Sequence, residues 1–205
     1  MAKSIQRPHP LLFELQHLVS DLSKIERHHT RYESNTKEND IEHSFTVAML
    51  CWFIITHHDL ALDQGLTLKY ALVHDFVERY AGDVNTFANP KERQEKIHKE
   101  RVALDRLSTE FSAFPDLVKT MQDYETKSGA EAQFVWTVDK MQTLILGDMD
   151  NWRPYKQLSI NYKAFCDKHV ELLELASPHA QEIFESLIEY CKTTYYDRPK
   201  SSQQR

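Results

Sequence analysis

Residues 66–82 read LTLKYALVHDFVERYAG, and the fold is decided by how this stretch is taken. It reads as one helix from about Leu66 to Ala81, with Gly82 placed to stop it. It carries His74 and Asp75 directly behind the apolar run Ala71-Leu72-Val73. On its N-terminal side IEHSFTVAMLCWFIIT predicts a second helix over about 41–56, apolar on nearly every side after His43 and Ser44. Further out, Leu11, Leu15, Leu18, Leu22 and Ile25 follow i, i+4, i+7, i+11 and i+14, one apolar stripe of a first helix. On the C-terminal side, Lys91 to Arg106 interleaves charges of both signs and predicts a surface helix. Pro115 opens another, residues 130–146 form a further one with Asp139 in its midst, and Pro154 and Pro178 precede two C-terminal helices. Only four glycines occur, too few for the tight turns of an all-β chain. The expectation is an all-α single domain over 1–197, with a core at about 15–150, C-terminal helices over 155–195, and a polar, flexible tail over 198–205.

Composition narrows the task. At 205 residues, 41% hydrophobic and 27% charged, the chain can bury a full core without disulfides or metal fingers. The longest apolar run, Val47 to Ile55, falls far short of the ~20 residues that span a bilayer. Arg7, His9 and Glu14 interrupt the first twenty residues, so no signal peptide is expected. Cys51, Cys166 and Cys191 have no CxxC spacing and read as reduced thiols of a cytoplasmic protein. A net charge of −6 argues against wide nucleic-acid binding, and nothing points to a membrane partner. A metabolite-sized partner fits best.

The informative residues are ionisable groups on helices that otherwise look buried: His43, the doublet His74-Asp75, and Asp139. A buried carboxylate is costly unless paired or bound to metal. Three helices that each offer a ligand-type group make more than a hydrogen-bonded core histidine. Two imidazoles and two carboxylates form a mixed nitrogen–oxygen ligand set suited to one divalent transition metal: Co, Mn, Ni, Fe or Zn.

His43, His74-Asp75 and Asp139, in that order, resemble the H…HD…D signature of the HD-domain metal-dependent phosphohydrolases. Glu42-His43-Ser44 and ALVHDFVERYAGDVNT (residues 71–86) are similar, more narrowly, to the bacterial 5′-deoxynucleotidase-like branch, in which a Glu and a Gly-Asp follow the HD pair at the spacing of Glu78 and Gly82-Asp83. The stretch YETKSGAEAQFVWTVDK, ending at Lys140, resembles the segment leading to the last metal ligand. The resemblance implies an HD-type helical bundle whose metal is held by His43, His74, Asp75 and Asp139. It implies a 5′-nucleotidase that releases phosphate from (deoxy)nucleoside 5′-monophosphates through a metal-activated water. Asp75 and Glu78 are its catalytic carboxylates. Glu78 lies one turn along from His74 and Asp75 and moves a proton. Asp83 contacts the sugar, and Thr86 caps or binds phosphate. An Arg before the first His clamps the phosphate, with Arg27 the first choice and Arg31 the second; His28 rather than an aromatic follows Arg27, whereas Tyr32 follows Arg31. A homodimer is expected from the same resemblance.

Other residues are assigned to structure. His98 stands among Lys96 and Lys99 on what reads as a solvated face, and His57-His58 closes a helix where imidazoles meet the C-terminal dipole. Trp52, Trp136 and Trp152 read as core or helix contacts, and Cys51 as a small buried residue. Two alternatives stand beside the nucleotidase: another HD reaction on a triphosphate or phosphodiester, for which extra Lys or Arg in the pocket would speak, and a non-catalytic nucleotide-binding helical protein.

Overall fold

In the computed structural model, which describes residues 9–83 and 87–195, every stretch that sequence periodicity marks as helical contains a helix. Helix α1 (Pro10–Leu22) starts on a proline, whose missing N–H costs nothing in a first turn. Ile25, expected as its last stripe residue, lies beyond its end and packs from the following loop. Helix α2 (Asp40–His57) is set by a capping box: the Asn39 side chain accepts from the Ile41 and Glu42 N–H groups, and the Glu42 carboxylate accepts from the Asn39 N–H.

The expected third helix is broken. Helix α3 (Gln64–Val73) ends just before the HD doublet, and α4 (Glu78–Ala81) resumes after a turn over residues 74–77. Tight bonds hold that turn, from the Phe76 N–H to the Val73 carbonyl and from the Glu78 N–H to the Asp75 carbonyl. The His74 ring donates from Nδ1 to the Ala71 carbonyl, one of the acceptors that a continuing helix would use. Gly82, at φ 74°, does stop the chain after α4, as expected.

The remaining helices are α5 (Pro90–Glu110), α6 (Pro115–Glu125), α7 (Ala130–Met149), a short α8 (Arg153–Gln157), α9 (Tyr162–Glu174) and α10 (Gln181–Thr194). Helix α5 runs four residues past the expected Arg106, and α8 adds a turn directly at Pro154. The all-α class holds with one addition, an antiparallel ribbon of β1 (Glu26–Thr30) and β2 (Lys37–Asn39), whose register shifts between Glu26 and Thr30. Arg, His and Thr in RHHTR gave no helical stripe, and the pairing with Lys37–Asn39 is a contact between segments that no local pattern announces.

Two apolar clusters form the core. The larger lies under α2, α3, α7 and the C-terminal helices, with Val47, Cys51, Val138, Phe165 and Phe184 at its centre. The smaller joins α1, α5 and α6 to the 73–77 segment through Leu18, Leu22, Val73, Leu107 and Met121. The turn carrying His74 and Asp75 therefore runs between two packed masses. One expectation fails along α2: Phe45, Met49, Trp52 and Phe53 are exposed, so Trp52 is not a core residue in the isolated chain. Trp152 is fully buried, as expected. Among the described residues, no helix is long and apolar enough to cross a membrane.

Candidate metal centre and the cavity beside it

Three elements deliver the expected ligand-type side chains to one place. His43 stands on the first turn of α2, His74 and Asp75 on the turn after α3, and Asp139 in the middle of α7. His43, His74 and Asp139 are buried, and Asp75 nearly so. His43 Nε2 lies 3.0 Å from Asp139 Oδ1 and 3.7 Å from Asp75 Oδ2, and His74 Nε2 lies 3.2 Å from the same Asp75 oxygen.

The histidine tautomers follow from their other contacts. His74 Nδ1 sits 2.9 Å from the Ala71 carbonyl, which can only accept, so Nδ1 carries the hydrogen and Nε2 presents a lone pair. That Nε2 is buried and makes no hydrogen bond. His43 Nδ1 donates to Gln142 Oε1 at 3.1 Å, and Gln142 Nε2 donates to Glu38 Oε1 at 3.0 Å, a buried relay that aims Nε2 of His43 at the same point. Ligand atoms of His43, His74 and Asp75 all fall within 4.8 Å of one another. A buried lone pair without a donor, beside carboxylates and a second oriented imidazole, is the donor set that a divalent transition metal takes. The residues present fit such an ion.

Arg27, from β1, reaches into this cluster. Its Nη1 donates to Asp75 Oδ2 at 2.6 Å and lies 3.4 Å from Asp40 Oδ1, its Nη2 is 4.0 Å from Asp139, and its Nε is 3.8 Å from Glu38. Arg31 does not reach the cluster: it is half-exposed and pairs outward with Glu42 at 2.8 Å. Of the two arginines weighed from sequence, the structure brings Arg27 in and leaves Arg31 out.

Glu78 is buried, with Oε1 3.7 Å from Lys96 Nζ and Oε2 making no hydrogen bond. Burial, with the charges of Asp75 and Asp83 beside it, pushes its carboxyl well above the usual range. Asp75 behaves oppositely: burial is overcome by His74 and Arg27, which hold it well below that range. Asp139 is likewise held down against burial, by Lys140 at 2.6 Å and by His43. His43 is raised to about 9, because burial and the nearby Arg27 are outweighed by the carboxylates of Asp139 and Glu38 beside it.

Asp83 lines a cavity of about 470 Å³ that Lys96 joins to Glu78. Leu158 and Ile160, between α8 and α9, form part of its wall, so the C-terminal segment contributes to it. Among its charged lining residues stand two lysines, Lys96 and Lys99, and three carboxylates, Asp83, Glu92 and Glu95. Thr86 lies outside the described residues. His98 is exposed, as expected for a solvated face, but Lys96 turns inward to bridge Glu78 and Glu100.

Four residues here were missed from sequence: Glu38, Asp40, Gln142 and Lys96. Two had a readable signal. Asp40 precedes His43 by three on one helix, and Gln142 follows Asp139 by three, so each shares a face with a ligand-type residue. Lys96 is one cation among many in α5, and Glu38 reaches the site only through the ribbon.

A family model described as HD domain matches residues 19–181. The 5′-deoxynucleotidase HDDC2 of Xenopus laevis is 26% identical over 193 residues, covering 89% of this chain and 92% of that protein. The Bos taurus protein of the same name is 26% identical over 173 residues, 81% of this chain and 82% of its own. Among solved structures, a predicted metal-dependent phosphohydrolase from Magnetospirillum magnetotacticum superposes with a TM-score of 0.73 at 24% identity, over 92% of this chain and 98% of that one. A conserved hypothetical protein from Pyrococcus furiosus superposes at 0.59 with 19% identity, over 86% and 99%.

Proposed function

The chain belongs to the HD-domain family, and from that premise we propose that it is a divalent-metal-dependent phosphohydrolase releasing phosphate from (deoxy)nucleoside 5′-monophosphates. His74 carries the reading: a buried Nε2 lone pair with no donor is costly on its own and accounted for by a cation. His43, His74, Asp75 and Asp139 hold the ion, drawn from Co, Mn, Ni, Fe or Zn. When bound, it supplies Lewis acidity toward water and phosphoryl oxygen.

The chain's own residues do the rest. Arg27, bonded to Asp75, is a cation that can reach the phosphoryl oxygens and neutralises charge developing there. Glu78, whose surroundings favour the protonated carboxyl, delivers a proton to the leaving 5′ oxygen. Lys96 holds Glu78 from the cavity side. Asp83 stands where the sugar enters the cavity, whose volume lies within the range of small-molecule sites. Arg31 and Thr86 are given no role in this mechanism: Arg31 faces away, and Thr86 lies outside the described residues. With three carboxylates against two lysines, the lining disfavours further phosphates and supports the monophosphate over the triphosphate reading. Three free cysteines suit a reducing cytoplasm, and the resemblance supports pairing with a second copy.

Phosphate release is measured from ribo- and deoxyribonucleoside 5′-monophosphates, a 3′-monophosphate, a triphosphate and a cyclic dinucleotide with added Co²⁺, Mn²⁺ or Mg²⁺. Turnover of 5′-monophosphates is expected. Asp75→Ala should abolish it, and Glu78→Gln should lower kcat ~10²- to 10⁴-fold, the range general acids contribute. Turnover of only the triphosphate or the cyclic substrate would move the chain to another HD reaction. Metal binding without turnover would make it a nucleotide-binding protein.

A further inference from the structure

Backbone strain concentrates where α7 gives way to α8. Asn151 and Trp152, at φ 52° and 58°, are the only consecutive non-glycine residues in the left-handed region among the described residues. Trp152 is held there by full burial, with Tyr155, Phe165 and Tyr195 packed edge-on around its ring. Strain that the surroundings enforce so firmly marks a place where orientation matters. What this turn orients is Asp150 and Arg153, one on each side of it.

The two form a block that grips the ribbon. Arg153 Nε donates to both Asp150 carboxylate oxygens at 3.1 Å. At the ribbon's tip, Arg153 Nη1 donates to Asn35 Oδ1 at 2.8 Å and Nη2 to the Ser34 carbonyl at 2.7 Å. Asp150, whose side chain is nearly buried, in turn accepts from the hydroxyl of Thr30, a buried residue of β1. Tyr155 of α8 meets the ring of the neighbouring His29 edge-on.

Strand β1 needs such a grip because its own pairing does not place Arg27. Glu26 pairs with Asn39 and Thr30 with Lys37, so five residues of β1 stand opposite three of β2 and the register slips between them. Arg27 lies in that irregular stretch. Ahead of it the Ile25 carbonyl accepts from the Asp40 N–H at 3.3 Å, and behind it Thr30 is held by Asp150. Arg27 therefore hangs between two anchors, and its 2.6 Å bond to Asp75 depends on both.

We propose that Asp150, locked by Arg153, is a positioning residue for the reaction: by holding Thr30 it sets how far Arg27 reaches toward the phosphoryl oxygens. The proposal rests on the reading of Arg27 as the phosphate cation. A charged group displaced by about 1 Å can cost ~10²-fold in rate, so an anchor three residues away has leverage.

The test uses the full chain with Co²⁺. Thr30→Val and Asp150→Ala should each lower kcat/KM for a nucleoside 5′-monophosphate ~10- to 100-fold, and Thr30→Ser, which keeps the hydroxyl, should recover most of the loss. In an Arg27→Ala background neither substitution should lower it further, because a residue that acts through Arg27 has nothing left to lose. Additive losses, or single variants as active as wild type, would overturn the proposal. Melting shows which variants fold; if Asp150→Ala does not, the Thr30 pair carries the test, and if Arg27→Ala does not, Arg27→Gln replaces it. A wild type that turns over no substrate would strike the nucleotidase reading, and the same variants are then read by orthophosphate affinity and amide exchange. There, Thr30→Val and Asp150→Ala should weaken orthophosphate binding about as much as Arg27→Ala does, and should speed exchange over residues 26–30 at least ~10-fold while leaving α2 as it was. No orthophosphate bound by that wild type, or exchange unchanged in β1, would overturn the proposal.

Discussion

His74 and Asp40 define the site residue by residue, and only one of them was read in advance. His74 announces itself by standing in an HD pair behind an apolar run, and the structure supplies what sequence cannot, a lone pair fixed by the Ala71 carbonyl. Asp40 is the less expected residue. It is buried on α2, and burial together with Asp75 raises its carboxyl from 3.8 to about 7 although Arg27 pulls the other way. The folded chain therefore holds this proton more tightly than the unfolded chain, so the contribution of Asp40 to stability falls as pH rises from about 4 to about 7 and stays lowered above that. Asp40→Asn keeps the shape and removes the charge. In chelator, its Tm should exceed the wild type's at pH 8, and the difference should shrink toward pH 4. A Tm difference independent of pH, by calorimetry at both values, would refute this account. The residue types at the four ligand-type positions were legible because burying them needs a reason. Glu38 was not, since a lone Glu carries no such signal until its partners are known.

At the scale of elements, periodicity and the glycine and proline helix ends were read well, and the breaks were not. The capping box of Asn39 and Glu42 starts α2 where the periodicity does, and it fixes Asp40 and His43 on the first turn. The break at residues 74–77 was invisible, because FVERYA continues the helical pattern and only the His74 side chain interrupts the backbone bonding. The ribbon was missed for the opposite reason, as its pairing is non-local. Helix α7 shows how packing uses a small residue that sequence noted only as a glycine. A Cβ at Gly147 would stand 2.9 Å from the Trp152 ring and 3.1 Å from the Tyr155 ring. Both rings are buried in the larger cluster, so neither has room to give. Gly147→Ala should destabilise by about 1–3 kcal/mol despite its better helix propensity. Denaturant melts giving an unchanged or raised midpoint would show that the rings repack.

For the whole molecule, charge decides more than hydrophobicity. Five carboxylates, of Glu38, Asp40, Asp75, Glu78 and Asp139, gather around Arg27, Lys96 and Lys140. A surplus of acids in a buried region favours a divalent cation in the folded state over the unfolded one. Metal should therefore act as a folding ligand, adding about 2.7 kcal/mol at a hundred times its Kd. Thermal melts with and without chelator should separate by several degrees, and His74→Ala should remove the separation. Coincident melts would mean the cluster is stable without an ion. The composition of 41% apolar residues predicted a full core, and the core formed, yet the apolar surplus on α2 stayed outside it.

The ribbon of β1 and β2 has a consequence for how this sequence can change over generations. Arg27 and Glu38 face each other across it, and both point inward because strand side chains alternate. Residues 31–36, at its tip, can change in length while the two strands keep their pairing, at the cost of the bonds that Arg153 donates to the Ser34 carbonyl and the Asn35 side chain. A shift of one strand by a single residue would instead turn Arg27 or Glu38 to the outside and take the Arg27–Asp75 bond or the histidine relay with it. Homologous chains should thus vary in tip length while holding the parity of the strands, a rule that can be checked by counting residues alone.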